Sequence, residues 1–263
     1  MRRRPMLVVP AALAVLALLG LVATTRGSDS ETVSAEEGVH YVTDFLKART
    51  SGAMRLDTWN ETLADVLPNV EYRRSDGVVH PLSDLAVVGT VTAVEKGRAF
   101  TIPGCVVTKP GALVGDCDAP GGTPAPFDAP NGLWWSIHAT VTVERSIGSS
   151  QSPDQVKVAL PLDDPAKFDL MAAGLKGLGR VVMFLKANSP LVEYEPSLYI
   201  VHRDGGYIAT VAADGTLKLP MLESEQASEQ LVQTPKLTDL ESRGRAPLRT
   251  VDVATGHARA GSK

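Results

Sequence analysis

The sequence predicts a mainly β fold, and this prediction rests on two segments in which apolar residues recur at every second position. Successive side chains of a strand point to opposite faces, so this period is typical of strands buried on one face. The residues on the apolar face are Val87, Gly89, Val91 and Ala93 in segment 85–97, and Trp135, Ile137, Ala139, Val141 and Val143 in segment 135–145. We expect these segments to pair as central antiparallel strands. Gly89 predicts a bulge or a sharp bend in the first of them.

The amino terminus predicts a membrane segment. Arg2, Arg3 and Arg4 precede an uncharged apolar run from Pro5 to Thr25. This run is close to the roughly 20 residues that cross a bilayer as a helix, and it also fits the apolar part of a signal peptide. We expect residues 1–26 to be a membrane anchor or a cleaved signal peptide. The anchor is favoured because the sequence is a poor match to the small residues that a signal-peptide cleavage site requires. The arginines would then lie in the cytoplasm and the rest of a single-pass protein outside, or the domain would be secreted after cleavage.

Residues 27–77 predict a helical spacer before the main domain. Ser34 and Glu37 form a capping-box pattern, and apolar residues at helical spacing follow. We therefore expect an amphipathic helix over Ala35–Arg49 and a second short helix over 57–67. The first helix would either pack on the barrel or stand between the membrane and the domain.

Residues 98–132 form a long insertion, rich in proline and glycine, between the two central strands. Loops of this length tend to be functional or mobile. The insertion holds Cys105 and Cys117, which we expect to form a structural disulfide outside the cytoplasm. A redox or metal-binding pair is the alternative, but two cysteines without a histidine cluster are poor zinc ligands.

Four further patterns complete a β domain over 78–222. Residues 155–160 alternate as a third strand, and Leu170–Leu178 predicts a short helix. Arg180–Lys186 is a continuous apolar run bounded by charges, which predicts a central strand with Phe184 in the core. Asp-Gly and Gly-Gly turns between residues 198 and 219 predict a meander. The polar residues 223–263 predict a disordered tail.

Five or six strands with a short helix before the buried run predict a small OB-like β-barrel of antiparallel strands. The segments Val87–Val91, Thr140–Glu144 and Gly179–Leu185 resemble the strands of netrin-like modules, a group that includes the tissue inhibitors of metalloproteinases and envelope proteins of bacteria. The resemblance covers Leu82–Leu219 and implies the barrel fold. In the inhibitors an amino-terminal cysteine chelates the protease metal and several disulfides hold the domain. This chain has a membrane segment and one cysteine pair instead, so protease inhibition is not implied.

Composition and motifs argue against several functions. The net charge is −4, the pI is about 5.8 and aromatic residues make up 5%, so a nucleic-acid interface is not expected. The chain has no Gly-x-Ser-x-Gly elbow, histidine–glutamate metal motif or nucleotide-binding loop. We therefore expect no catalytic residues, no metal and no cofactor. An envelope hydrolase with a site assembled from His138, His202 and Asp164 is the alternative.

These observations predict a membrane-anchored, extracytoplasmic binding or assembly module of the cell envelope. The expected partner is another envelope protein, contacted through Arg98–Gly132 or the barrel face. Trp134 points outward by alternation, so it either packs under the insertion or belongs to the contact surface, since tryptophan is enriched at binding hot spots. A spacer or sensor domain controlled through its anchor is a third interpretation.

Overall fold

The fold is mainly β. The computed structural model describes residues 33–53, 62–73, 76–109, 112–115, 122–150, 152–187, 198–201, 207–220, 231 and 233–252. Strands account for 46% and helices for 22%, which confirms the predicted class.

Thirteen strands and three α-helices lie within the described ranges. The strands are β1 (Val70–Arg73), β2 (Val79–Pro81), β3 (Leu85–Thr101), β4 (Cys105–Lys109), β5 (Ala112–Gly115), β6 (Thr123–Pro126), β7 (Trp134–Ile147), β8 (Gln155–Leu162), β9 (Arg180–Lys186), β10 (Tyr199–Val201), β11 (Ile208–Val211), β12 (Leu217–Lys218) and β13 (Arg249–Asp252). The helices are α1 (Ala35–Ala53), α2 (Phe168–Gly177) and α3 (Leu237–Gly244). A 3-10 turn, Pro165–Lys167, precedes α2.

The largest sheet orders eight strands as β12-β11-β9-β10-β8-β7-β3-β6, with an additional pairing between β9 and β3. Strands β12 and β6 lie at its two ends, so the sheet as a whole is not closed into the predicted barrel. The prediction of an all-antiparallel arrangement is also wrong, because β10 pairs with β8 in parallel. Smaller sheets are formed by β13-β1-β2 and by β4-β5.

Strand β3 carries hydrogen-bonded partners on both of its edges. It pairs with β7 from Ala86 to Phe100 and with β9 from Leu85 to Thr90. The register against β7 shifts between Val88 and Gly89, which confirms the predicted bulge. A Cβ atom at Gly89 would lie 2.9 Å from a methyl group of Val141 and closer still to a backbone carbonyl of β7. Glycine is therefore required for the approach of these strands.

The two faces of β3 and β9 contribute to two apolar cores. Val87 packs with Val181 and Met183 in the first core, whereas Val88 packs with Val182 in the second. Burial on both faces explains why Arg180–Lys186 is a continuous apolar run, and the prediction of a central buried strand is confirmed.

Helix α1 packs against α2 and the first core. The Oγ atom of Ser34 accepts a hydrogen bond of 3.1 Å from the backbone N–H of Glu37, so the predicted cap is formed. Val42 and Leu46 are fully buried with residues of the sheet, so the helix packs on the domain, which is one of its two predicted roles, and does not act as a spacer. The described part of the predicted 57–67 helix, residues 62–67, forms turns whose apolar side chains enter the second core.

The prediction of a disordered tail from residue 223 is wrong for two of its segments. Helix α3 buries Leu237 and Leu240 in the second core. Strand β13 pairs in parallel with β1, in the register Val70 to Arg249. Because this partner lies far away in the sequence, the local composition gives no indication of the strand.

Residues 1–32, which carry the predicted anchor or signal peptide, lie outside the described ranges. Among the helices of the described part, none combines the length and the apolar character needed to cross a bilayer.

Phe184→Ala is expected to reduce the free energy of unfolding by about 3–5 kcal/mol. Phe184 is fully buried, and its ring meets that of Tyr207 edge to face with centroids 5.9 Å apart. Denaturant unfolding measures the loss, and Val79→Ala on the exposed edge strand β2 is the control. A Phe184→Ala protein as stable as the control would contradict this core assignment.

Candidate functional site

Between β3 and β7 the chain forms a two-stranded arm, Cys105–Gly115, built from β4 and β5. Within the described part of the chain these strands pair only with each other. Val106 and Val114 stand opposite each other and are 45% and 57% exposed. A hairpin of two strands is marginally stable in water, and it has no core of its own to bury these side chains. The arm therefore presents apolar side chains and unpaired strand edges to its surroundings.

The base of the arm is tightly packed. Cys105 is buried and faces Gly115 across the strand pair. Gly115 has a φ of 107°, and a Cβ atom there would collide with the carbonyl oxygen of Gly104. Cys117 lies outside the described residues, so the Cys105–Cys117 disulfide stays a prediction.

Trp134 packs beneath the insertion. Its ring stacks on Phe100 with centroids 5.7 Å apart and an angle of 6° between the planes. A Cβ atom at Gly122 would lie 2.5 Å from the indole, so glycine is needed where the insertion crosses the ring. Trp134 is half-buried, and this packing agrees with one of its two predicted roles. Its role in partner binding stays a prediction.

The end of the insertion is held by a strand that sequence reasoning missed. Strand β6 pairs with the last residues of β3, placing Pro124 opposite Phe100 and Pro126 opposite Arg98. The strand was not predicted because it contains prolines. Proline has no backbone N–H to donate, so it is tolerated only where the sheet needs no donor, as on an edge strand. The indole N–H of Trp135 also donates a hydrogen bond of 2.8 Å to the carbonyl of Phe127.

Lys96 joins this region to the α2 helix through aromatic rings. Its Nζ atom lies 5.3 Å from the ring centroid of Phe127 and 5.3 Å from that of Phe168. The two rings meet edge to face with centroids 5.9 Å apart. Cation–π attraction therefore links β3, the insertion and α2. Nothing in the local sequence indicates this cluster.

The turn after β8 is acidic and lies near α1. Asp164 caps the 3-10 turn by accepting a hydrogen bond of 2.9 Å from the backbone N–H of Ala166. Burial raises the pKa of the Tyr41 phenol above its ordinary value of 10.0, and the negative charges of Asp164 and Asp163 raise this pKa further. The phenol therefore keeps its proton in more alkaline solution than a free tyrosine does.

His138 and Asp164 lie at different levels of β8. His138 pairs with Ala159 inside β8, whereas Asp164 follows the end of that strand at Leu162. Strand residues advance by about 3.3 Å each, so even Leu162 is about 10 Å from the level of His138. His202 lies outside the described residues. Among the described residues, no group of three or more histidine, cysteine or acidic side chains could hold a metal ion.

The chain matches no known family model, no curated protein and no solved structure. The resemblance to netrin-like modules therefore stays a prediction, and the function has to be argued from the residues of this chain.

Trp134→Ala is expected to lower the free energy of unfolding by about 2 kcal/mol, less than a fully buried tryptophan would, because the ring is half-buried. Thermal and denaturant unfolding measure the loss, with Trp134→Phe as a variant that keeps a stacking ring. Unchanged stability in Trp134→Ala, together with weaker partner binding, would instead assign the indole to the contact surface.

Replacing Asp163 and Asp164 by asparagine is expected to lower the raised pKa of Tyr41 toward 10.0, because both negative charges are removed. Ultraviolet titration of the phenol, compared with a Tyr41→Phe variant to isolate its absorbance, measures this change. With a folded pKa above the unfolded one, the stabilising contribution is present below about pH 10 and disappears as the pH rises through the folded pKa. An unchanged Tyr41 titration would show that the two carboxylates do not act on it.

Proposed function

We propose that the chain is a membrane-anchored, extracytoplasmic binding module of OB type, and that its arm contacts another protein of the cell envelope. The observation that carries this proposal is the arm itself, with an exposed pair of valines on a hairpin to which no further strand is added within the described ranges. The module has no catalytic role, cofactor or metal in this proposal.

The strand pairings support the OB-type assignment. Starting from β3, successive pairings lead to β7, β8, β10 and β9, and β9 pairs with β3 again. Helix α2 lies between β8 and β9 in the chain. A circuit of five strands, with a helix between the third and the fourth of them in chain order, agrees with a small barrel inside the larger sheet, to which β6, β11 and β12 are added.

The arm is suited to protein contact by its chemistry. Val106 and Val114 lie on one face, and the outer edges of β4 and β5 have no partner strand among the described residues. An extended segment of a partner can add to such an edge through backbone hydrogen bonds, while side chains of alternate positions select the sequence. This supports a partner that supplies an extended segment with apolar side chains.

The expected position in the cell follows from the amino-terminal sequence. Three arginines before an apolar run favour an anchor with the domain outside, where a disulfide between Cys105 and Cys117 would brace the arm. Secretion after cleavage would keep the same surface and lose the membrane attachment. In that case the bound partner would have to keep the protein at the cell envelope.

Site-specific photo-cross-linking in cells tests the arm as a contact surface. A photoreactive residue replaces Val106 or Val114 in the full-length chain, and the control replaces Val79, which is 39% exposed on another sheet. We expect one defined envelope protein to be linked from both arm positions and not from Val79. Tagging that protein should recover this chain in return.

Val106→Ser combined with Val114→Ser is expected to reduce partner recovery about tenfold, because apolar contact area is lost while the fold keeps its cores. The matched control is Val78→Ser with Val79→Ser, which removes the same groups from two exposed valines at the start of β2. Equal recovery from both double variants, or no specific cross-link from the arm, would reject the arm as the contact surface.

A further inference from the structure

The segment between α3 and β13 exposes three consecutive apolar residues, Ala246, Pro247 and Leu248. Leu248 is 61% exposed, more than any other large apolar side chain in the described ranges. A single exposed apolar side chain is ordinary on a protein surface, whereas a run of three exposed apolar residues usually marks a function. This segment is therefore a candidate contact surface, separate from the arm.

Arginines flank the apolar run on both sides. Arg243 and Arg245 precede it, Arg249 follows it, and all three residues are exposed. We call residues 243–249 the basic tip, because this segment contains no acidic residue. Arg249 is paired with Asp65 and its side chain is still 52% exposed. The whole chain has a net charge of −4, but salt screens charges beyond about 8–10 Å, so the local arginines determine what the tip attracts.

Asn69 holds the basic tip in a fixed conformation. Its Nδ2 atom donates hydrogen bonds of 3.0 Å to the backbone carbonyls of Arg243 and Ala246. Its own backbone carbonyl accepts a hydrogen bond of 3.1 Å from the backbone N–H of Arg249. Because both ends of the tip are fixed before any contact is made, little conformational entropy is lost when the tip binds a surface.

The combination of apolar and basic residues in the tip matches an anionic membrane surface. Apolar side chains enter the boundary between headgroups and acyl chains, and each basic residue beside anionic lipid adds to the attraction. Guanidinium groups also form bidentate hydrogen bonds with phosphate. An acidic peptide would pair with the arginines and leave the apolar run in water, so the combination favours a lipid surface.

We propose that the basic tip docks on a bilayer that contains anionic phospholipid. Leu248 enters the headgroup region, and Arg243 and Arg245 pair with lipid phosphates. The contact sets the orientation of the domain on the membrane, which is a role distinct from the protein contact of the arm. It does not require the amino-terminal anchor, because a chain that reaches the bilayer from solution presents the same surface.

Fluorescence quenching by lipid tests this proposal with the full-length chain. An environment-sensitive fluorescent amino acid replaces Ala246, and the chain is transferred from detergent to phosphatidylcholine vesicles that carry a spin-labelled quencher lipid and either contain or lack phosphatidylglycerol. The matched control places the same amino acid at Ala166, an exposed alanine in the turn before α2. Helix α2 contributes to the first core and α3 to the second, on opposite faces of β3 and β9.

We expect quenching at position 246 only in vesicles that contain phosphatidylglycerol, and no quenching at position 166. High salt is expected to weaken the quenching at position 246, because it screens the arginines from the headgroups. Leu248→Ser is expected to weaken docking about tenfold, because less apolar surface is removed from water.

Arg243→Gln combined with Arg245→Gln is expected to weaken docking at least about tenfold, since two charges that face the headgroups are lost. The matched control is Lys167→Gln with Lys176→Gln, which removes the same net charge from exposed positions before and within α2. All four positions are exposed, so equal melting temperatures are expected for both double variants and the unmodified chain.

Flotation with pure phosphatidylcholine vesicles reports the amino-terminal anchor separately. Chain that floats with these vesicles but shows no quenching at position 246 in anionic vesicles keeps the anchor and rejects the tip. Chain that floats only with anionic vesicles and is quenched at position 246 supports the tip and rejects the anchor. Quenching that is equal at both alanines, equal with and without phosphatidylglycerol, or equally reduced by the two double variants would overturn the proposal.

Discussion

The double pairing of β3 is the constraint on which the rest of the structure depends. Because its first residues bond to β7 on one edge and β9 on the other, both strands must converge on a single chain. The convergence is possible because Gly89 has no Cβ atom at the tightest point. The entry to β3 is fixed by Asp84, whose carboxylate accepts hydrogen bonds from Lys186 Nζ at 3.1 Å and from the backbone N–H of Ala187 at 2.7 Å.

The double pairing of β3 divides the domain into a packed body with two cores and an exposed arm. The two apolar cores on either side of β3 and β9 bury α1, α2 and α3, so the helices have little apolar surface left to offer. The arm lies outside both cores, and among the described residues its valines belong to the few large apolar side chains that stay exposed. Binding surfaces on a rigid scaffold lose less conformational entropy on association than surfaces that must fold first. An arm whose base is packed at Cys105 and Gly115 has this advantage.

Local sequence patterns predicted the strands whose apolar residues alternate. They failed to predict strands that form only because they pair with a segment far away in the sequence. β3, β7 and α1 follow directly from periods of two and 3.6 residues, and β9 follows from a continuous apolar run. The pairing of β1 with β13 joins residues 70 and 249, and neither segment is apolar enough to indicate a strand alone. For the candidate site, the sequence located the insertion and Trp134. It gave no indication of the exposed valine pair or of Lys96 between two rings, because both require the folded register.

The parallel pairing of β1 and β13 determines how the domain would respond to mechanical tension. Tension applied to Val70 on one strand and to Asp252 on the other acts at opposite ends of the pair. Tension in this direction loads the hydrogen bonds between the strands together, in shear, instead of opening them one after another. Forced unfolding is governed by the rate at which such a barrier is crossed. The short β1–β13 pair would thus resist the separation of residues 70 and 252 by all of its hydrogen bonds at once.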